Sequence, residues 1–396
     1  MSKTGFINAN IFDGVNNTIH RNAWMVVDNE TGRIVDTGDG AVPTTDQVVD
    51  IKGKYIMPGL INAHTHITND PETSDGNVGR NITETAVDAI HFLQQLLKSG
   101  CTYIRQCGCT YGIDITLNEL IKKGKIKHVP NMMASGRAFT MTGGHGDYEN
   151  GGYIVDSEDE MRKKVREDFK LGADCIKIMA GGGVMSPGDA MDEAQLTVDE
   201  MKVAVYEAHN KHVIVAAHAE GNPSIQNVID AGVDSIEHGF YLTEKQVEEV
   251  KERGMYIVPT IVATWSVVTF GAKDLPKWEH QKMDNAMDAV YGNIKRAYKM
   301  GAKIALGTDA GTPFNYFDTT TPKELELLVE KEDFTNFDAL HTSYVSAELM
   351  RIDHDYGSIE AGKFADFIIL DNNPLDDVKA VQQVDKAVYK NGVKEF

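Results

Sequence analysis

The sequence predicts an α/β chain, a (β/α)8 TIM barrel accompanied by a small β-sandwich built from both chain ends. Two observations predict it. Between residues 56 and 355 a short apolar run, a polar or glycine-rich loop and a longer amphipathic stretch recur in turn. Eight such units over about 300 residues have the size and rhythm of a (β/α)8 barrel. The two flanks instead alternate apolar and polar residues between turn signals, as antiparallel strands do.

Residues 1–55, with GFINANIFDG and WMVVDNETGRIVDTG, read as a β-meander, and the tail from Gly357 has the same character in GKFADFIILDNNPLDDV and AVYKNGVKEF. Neither flank is long enough to bury a good core alone. Residues 1–55 and 357–396 are therefore expected to form one sandwich domain beside a barrel of residues 56–356. The eight expected barrel strands are IMPGLINAH, CTYIRQCG, PNMMASG, DCIKIMAGGG, HVIVAAHAE, DSIEHG, MYIVPT and KIALGTDAG. Stretches such as DSEDEMRKKVREDFKLGA and TVDEMKVAVYEAHNKH open with acidic residues and close near Gly or Asn, as helices do.

The composition narrows the function. A formal charge of -20 over 396 residues disfavours nucleic acid and anionic membrane surfaces as partners, since both repel it. A small-molecule substrate is the expectation. The start, MSKTGFINANIFDG, lacks the basic region and long apolar run of a secretory signal, and no segment reaches the length of a membrane span. Cys101, Cys107, Cys109 and Cys175 are too sparse for a disulfide framework, so a cytoplasmic protein with reduced thiols is expected. Cys107 and Cys109 would share a strand face as metal ligands would, but no second pair follows, and they are read as structural.

The candidate site comes from the strand ends, where barrels of this kind place their chemistry. His64 and His66 end the first strand, and alternate strand residues project from one face toward one point. His218 ends the fifth strand, His238 the sixth and Asp309 the eighth. Lys177 interrupts the apolar fourth strand, where an unpartnered ammonium is costly. One reading pairs it with a carboxylate such as Asp309. The other lets its free amine capture carbon dioxide, giving a carbamate able to bridge two cations.

The set NAHTH, IKIMAGGGV, VAAHAE, SIEHG and LGTDAG, with the ending GSIEAGKFADFIILD, resembles the amidohydrolase superfamily over nearly the whole chain. The likeness is to its binuclear branch with a carboxylated lysine. MPGLINAHTH, TGGHGD and GGVMSPGD are most similar to the imidazolonepropionase-related group of prolidase-like and Xaa-Arg or Xaa-Lys dipeptidases, which includes ochratoxinase-type amidases. The second strand departs from that pattern, with Gln106 where an Asp is common.

The resemblance implies two divalent ions, zinc being the expected one. His64, His66 and Asp309 would hold a buried ion, His218 and His238 a more exposed one, and carboxylated Lys177 would bridge them. It implies a homo-oligomer and a metal-dependent hydrolase of dipeptides or N-acyl amino acids with Pro, Arg, Lys or an aromatic residue at the C-terminal position. Attack by a metal-bridging hydroxide is expected, with Asp309 carrying its proton. His145, in the glycine-flanked TGGHGDYENGG, is the candidate oxyanion donor or substrate contact, with Tyr241 and Gly182 as further substrate contacts. Glu220 is similar in one residue only to the glutamate of zinc deaminases. His209, His212, His280, His341 and His354 are read as structural.

Two other functions compete. Imidazolonepropionase-like ring opening or deamination generally manages with one ion and needs no Lys177. A non-catalytic scaffold has no reason to keep a buried lysine and a strand-end aspartate.

Overall fold

Each expected apolar run carries a strand, and most of those strands are buried on both faces, as parallel strands covered by helices must be. The computed structural model describes residues 2–73, 80–184 and 188–396. Residues 185–187 of the GGVMSPGD motif lie outside them.

Among the described residues the parallel strands form two sheets. One orders Leu60–Thr65, Cys101–Gln106 and Asn131–Met133. The other orders Gly152–Ile154, Ala138–Thr140, Cys175–Met179, Ile214–Ala219, Ser235–His238, Tyr256–Val258 and Lys303–Ile304. Backbone hydrogen bonds join the two at both edges. Ala63 N–H donates to Leu306 O (2.7 Å) on one side and Asp174 N–H to Ala134 O (2.7 Å) on the other. The short strands Ala138–Thr140 and Gly152–Ile154 were not expected. They arise in the loop after the third strand and lean on Cys175–Met179 through the pair Ile178 and Phe139, which anchors the His145 segment.

The intervening helices end where their sequences direct. Thr197 and Glu200 cap Val198–His209 reciprocally, and Ser157 caps Glu158–Leu171, which stops at Gly172 in the left-handed region. Their apolar faces bury Leu93, Leu96, Val165, Val228 and Ile294 against the sheets. No described helix is long and apolar enough to cross a membrane.

The run IMPGLINAHTH is two strands rather than one. Tyr55–Pro58 pairs antiparallel with Phe367–Leu370, whereas Leu60–Thr65 runs parallel to Cys101–Gln106. Gly59 separates them because a Cβ there would stand 2.4 Å from the Thr102 side chain. Strands from both chain ends thus share one eight-stranded sheet, with Lys3–Phe12 at its centre. Its core includes the Phe6, Phe367 and Tyr389 rings, packed at centroid distances of 4.5 to 5.4 Å.

Candidate active site

The strand ends converge on one place. The Nε2 atoms of His64 and His66 are 3.3 Å apart, and Asp309 Oδ1 is 3.2 Å and 2.9 Å from them. A tetrahedral ion with bonds of about 2.0 to 2.2 Å sets its donors about 3.4 Å apart. These three donors therefore already stand near ligand spacing.

The rings are held by their other nitrogens. His64 Nδ1 is 2.7 Å from Glu237 Oε2, and Glu237 Oε1 receives Arg105 at 2.8 Å and the Ser235 hydroxyl. All of these side chains are buried. His66 Nδ1 lies 3.2 Å from Gly108 O. Each ring thus donates outward from Nδ1 and keeps an Nε2 lone pair for the cluster, as metal-ligating histidines do. Burial, and then the charge of Lys177, lowers the His64 pKa, which favours the neutral ligand form. Burial alone would raise Asp309, but its bonds to His64 and His66 hold the carboxyl well below its usual range.

A second group adjoins the first. The donor atoms of His218, Glu220 and His238 all lie within 4.8 Å of one another, and the His64 and His238 rings are 5.1 Å apart. His238 Nδ1 is 2.7 Å from Thr260 Oγ1, and His218 Nε2 is 3.1 Å from Gly182 O. Both imidazoles are lowered well below their ordinary value, by burial first. Glu220 is raised well above its own, by burial and then the Asp309 charge. The His64 side chain is fully buried and those of His66 and Asp309 are 14% exposed, while His218 and Glu220 are at 4 to 5%, with the His145 ring stacked on His218 at 4.5 Å.

Lys177 is 1% exposed and lines the same cavity as His66, His218, His238 and Asp309. Its charge acts on His64, His218 and His238 alike. Among the described residues it has no ion pair, so the alternative of a lysine paired with Asp309 is not what the structure shows. The imidazoles of the two clusters, with Asp309 and a buried lysine on the same cavity wall, form a donor set that fits divalent cations.

Two of these residues sit on strained backbone. His238 (φ 70°) and Asp309 (φ 57°) lie in the left-handed region, which costs a non-glycine residue on the order of 1 kcal/mol or more. Asn315 clamps the second turn by donating from Nδ2 to the carbonyls of Thr308 (2.7 Å) and Asp309 (2.8 Å).

The cavity in front of the clusters measures about 350 Å³, within the range of small-molecule sites. His145 lines it, with Nδ1 3.4 Å from Asp189 Oδ2. Gly183 permits this approach, since a Cβ there would stand 2.5 Å from the His145 ring. Met179, Val184, Phe240, Val267 and Met283 supply apolar walls. Glu279 is 1% exposed and its Oε1 lacks a partner among the described residues. Burial pushes its carboxyl up to about 7.

Tyr241 and Gly182 are not on the cavity wall. Tyr241 packs against the core, its N–H donating to Glu220 O, and the Gly182 N–H is taken by Glu193 O. The glycine run serves the turn instead, with Gly183 N–H donating to Asp189 Oδ2 at 3.3 Å. Cys107 and Cys109 follow the second strand rather than lying on it, and all four thiols are buried and free. Burial pushes Cys107 up to about 11, so it faces the cavity as a thiol. Sequence reasoning passed over Arg105, Glu237, Thr260, Glu279 and Asn315. A charge inside an apolar run, the signal that singled out Lys177, also marks Arg105 in TYIRQC and Glu237 in SIEHG.

Known proteins share this fold. The model of the amidohydrolase family matches residues 55–394. Ochratoxinase of Aspergillus niger is 31% identical over 358 residues, covering 83% of this chain and 72% of that protein. Its crystal structure aligns with a TM-score of 0.87 at 28% identity, covering 99% of this chain and 95% of the other. A Xaa-Pro dipeptidase crystallised with methionine in its active site aligns with a TM-score of 0.91 at 30% identity, covering 99% of each chain. The fold is thus α/β of the TIM-barrel type, and the chain belongs to the amidohydrolase family, in its ochratoxinase and prolidase-like group.

Proposed function

We propose that this amidohydrolase is a binuclear metal-dependent hydrolase that cleaves the amide bond of dipeptides or N-acyl amino acids. Zinc is the expected ion. The observation that carries the reading is Lys177, buried on the cavity wall beside both donor groups without an ion pair among the described residues. Once Nζ has given up a proton, it can bond to the carbon of carbon dioxide with loss of a second. The side chain would then offer an anionic, two-oxygen ligand to cations held by His64, His66 and Asp309 and by His218 and His238.

Bound at these donors, divalent cations acidify a water toward neutrality and polarise the substrate carbonyl. Asp309, partly exposed to the cavity, accepts the proton of the attacking water and returns it to the leaving amine. His145 stands on the wall beside His218, placed to donate to the carbonyl oxygen as negative charge develops. The apolar walls exclude water and receive an apolar stem. Glu279, the buried carboxyl on that wall, favours a basic head such as lysine or arginine over proline or an aromatic ring.

Two structural readings belong with this one. The hydrogen bonds at both sheet edges support a closed (β/α)8 barrel. The separate core of the terminal sheet supports an accessory sandwich domain of residues 1–55 and 357–396, its first segment extended by the rest of the strand Tyr55–Pro58.

The test is metal content by plasma mass spectrometry for the wild type and Lys177→Ala, with a panel of Xaa-Arg, Xaa-Lys, Xaa-Pro and Xaa-Phe dipeptides. Two ions per chain and cleavage, both falling in the variant, are expected. One ion per chain, indifferent to Lys177, would replace the reading with a mononuclear deaminase or imidazolonepropionase-like one.

A further inference from the structure

The proposed reading leaves open whether the residue on the acyl side of the scissile bond carries a free amino group. Glu220 bears on this. It lies in the turn after the strand Ile214–Ala219, is 4% exposed, and lines the cavity with Lys177, His218 and His238. Its Oε1 is 3.9 Å from His218 Nε2, and its Oε2 has no partner among the described residues. A buried carboxyl without a partner is costly unless something else completes it. The structural work at this turn is done by the main chain, since Glu220 O accepts from Tyr241 N. The side chain is left for a ligand.

Resting on the proposed hydrolase reading, we infer that Glu220 holds the free α-ammonium of a dipeptide, making the enzyme a dipeptidase rather than an N-acyl amino acid amidase. The covalent geometry of the substrate sets the distance. The α-nitrogen is two bonds from the scissile carbonyl carbon, about 2.5 Å away. A carbonyl engaged at the His218 and His238 side therefore places that nitrogen beside the carboxyl grouped with those two histidines. An ammonium offers three donors to the oxygens of that carboxyl. An acyl group without that nitrogen leaves Glu220 unpaired in a closed site, and sites built for a polar group reject analogues that lack it.

The experiment uses the zinc-loaded full chain and two substrates of equal shape, alanyl-X and propionyl-X, with X the preferred leaving residue. It compares wild type, Glu220→Gln and Glu220→Asp by kcat, KM, zinc content and thermal midpoint. The expected wild-type preference for alanyl-X is about tenfold to hundredfold in kcat/KM, the range for a hydrogen bond to a charged group. In Glu220→Gln the ratio should fall to near one, mostly through KM for alanyl-X, with zinc content and midpoint held, and Glu220→Asp should keep part of it. No preference in the wild type, or a preference that survives Glu220→Gln, overturns the inference. Loss of one zinc in Glu220→Gln also overturns it and makes Glu220 a metal ligand. Cleavage of neither substrate by wild type carrying two zinc ions removes the hydrolase reading itself, and the inference with it.

Discussion

The two donor groups of the site are built on different supports. In the first, His64 leans on Glu237, which is held in turn by Arg105 and Ser235, all buried. In the second, His238 leans on a neutral hydroxyl and His218 on a neutral carbonyl. A carboxylate behind an imidazole raises its basicity and fixes its tautomer and orientation, whereas a neutral acceptor does chiefly the latter two. On the proposed reading the first group would bind its cation more tightly than the second.

The largest expected effect tests the proton-carrying role proposed for Asp309. Asp309→Asn should lower kcat by roughly 10² to 10⁴-fold, the range for a proton-transferring group, as measured with the best dipeptide of the panel. The next breaks the difference itself. Titration with a chelator should remove one zinc from wild type well before the other. Glu237→Gln should weaken the tighter site by roughly 10 to 100-fold and merge the two steps, and two separate steps in that variant would contradict the contrast. A smaller change is expected on the other side. Thr260→Val removes only the hydroxyl beside His238, and should weaken the looser site about fivefold, an ordinary hydrogen bond contributing about 1 kcal/mol.

A control lies away from both groups and should leave the site itself unchanged. Asp168 is fully buried, and burial followed by the Asp114 charge pushes it up to about 8. An unfolded aspartate titrates near pH 3.9, so between about pH 4 and 8 the folded chain keeps a proton that the unfolded chain has lost. Its contribution to stability is therefore full below pH 4 and declines by at most about 1.4 kcal/mol per pH unit toward pH 8. Urea midpoints measured from pH 5 to 8 should fall, and Asp168→Asn should flatten that slope without altering zinc content.

The sequence was legible where one chain segment decides the outcome. Strand period predicts His64 and His66 on one face, and the apolar runs place His218 and His238 at strand ends, because both follow from local backbone geometry. His66 falls one residue past Leu60–Thr65 and Asp309 five residues past the short strand Lys303–Ile304, so the turns after those strands, not strand period, set their positions. Lys177 was legible because a charge in an apolar strand demands an explanation. The placement of Tyr241 and Gly182 off the cavity wall was not legible, because proximity in sequence to a candidate ligand does not say which way a side chain or an N–H points in a loop.

What the sequence by itself determined, then, is the alternation of strands and helices and the residue types offered at the strand ends. Only the tertiary structure decided their partners. Glu237 meets His64 across 173 positions and Arg105 across 132. Glu220 and Glu279 face a cavity whose walls come from several loops and helices. Such contacts depend on the stagger of neighbouring strands and the packing of loops above them, and no periodicity within one segment encodes the distance between two segments.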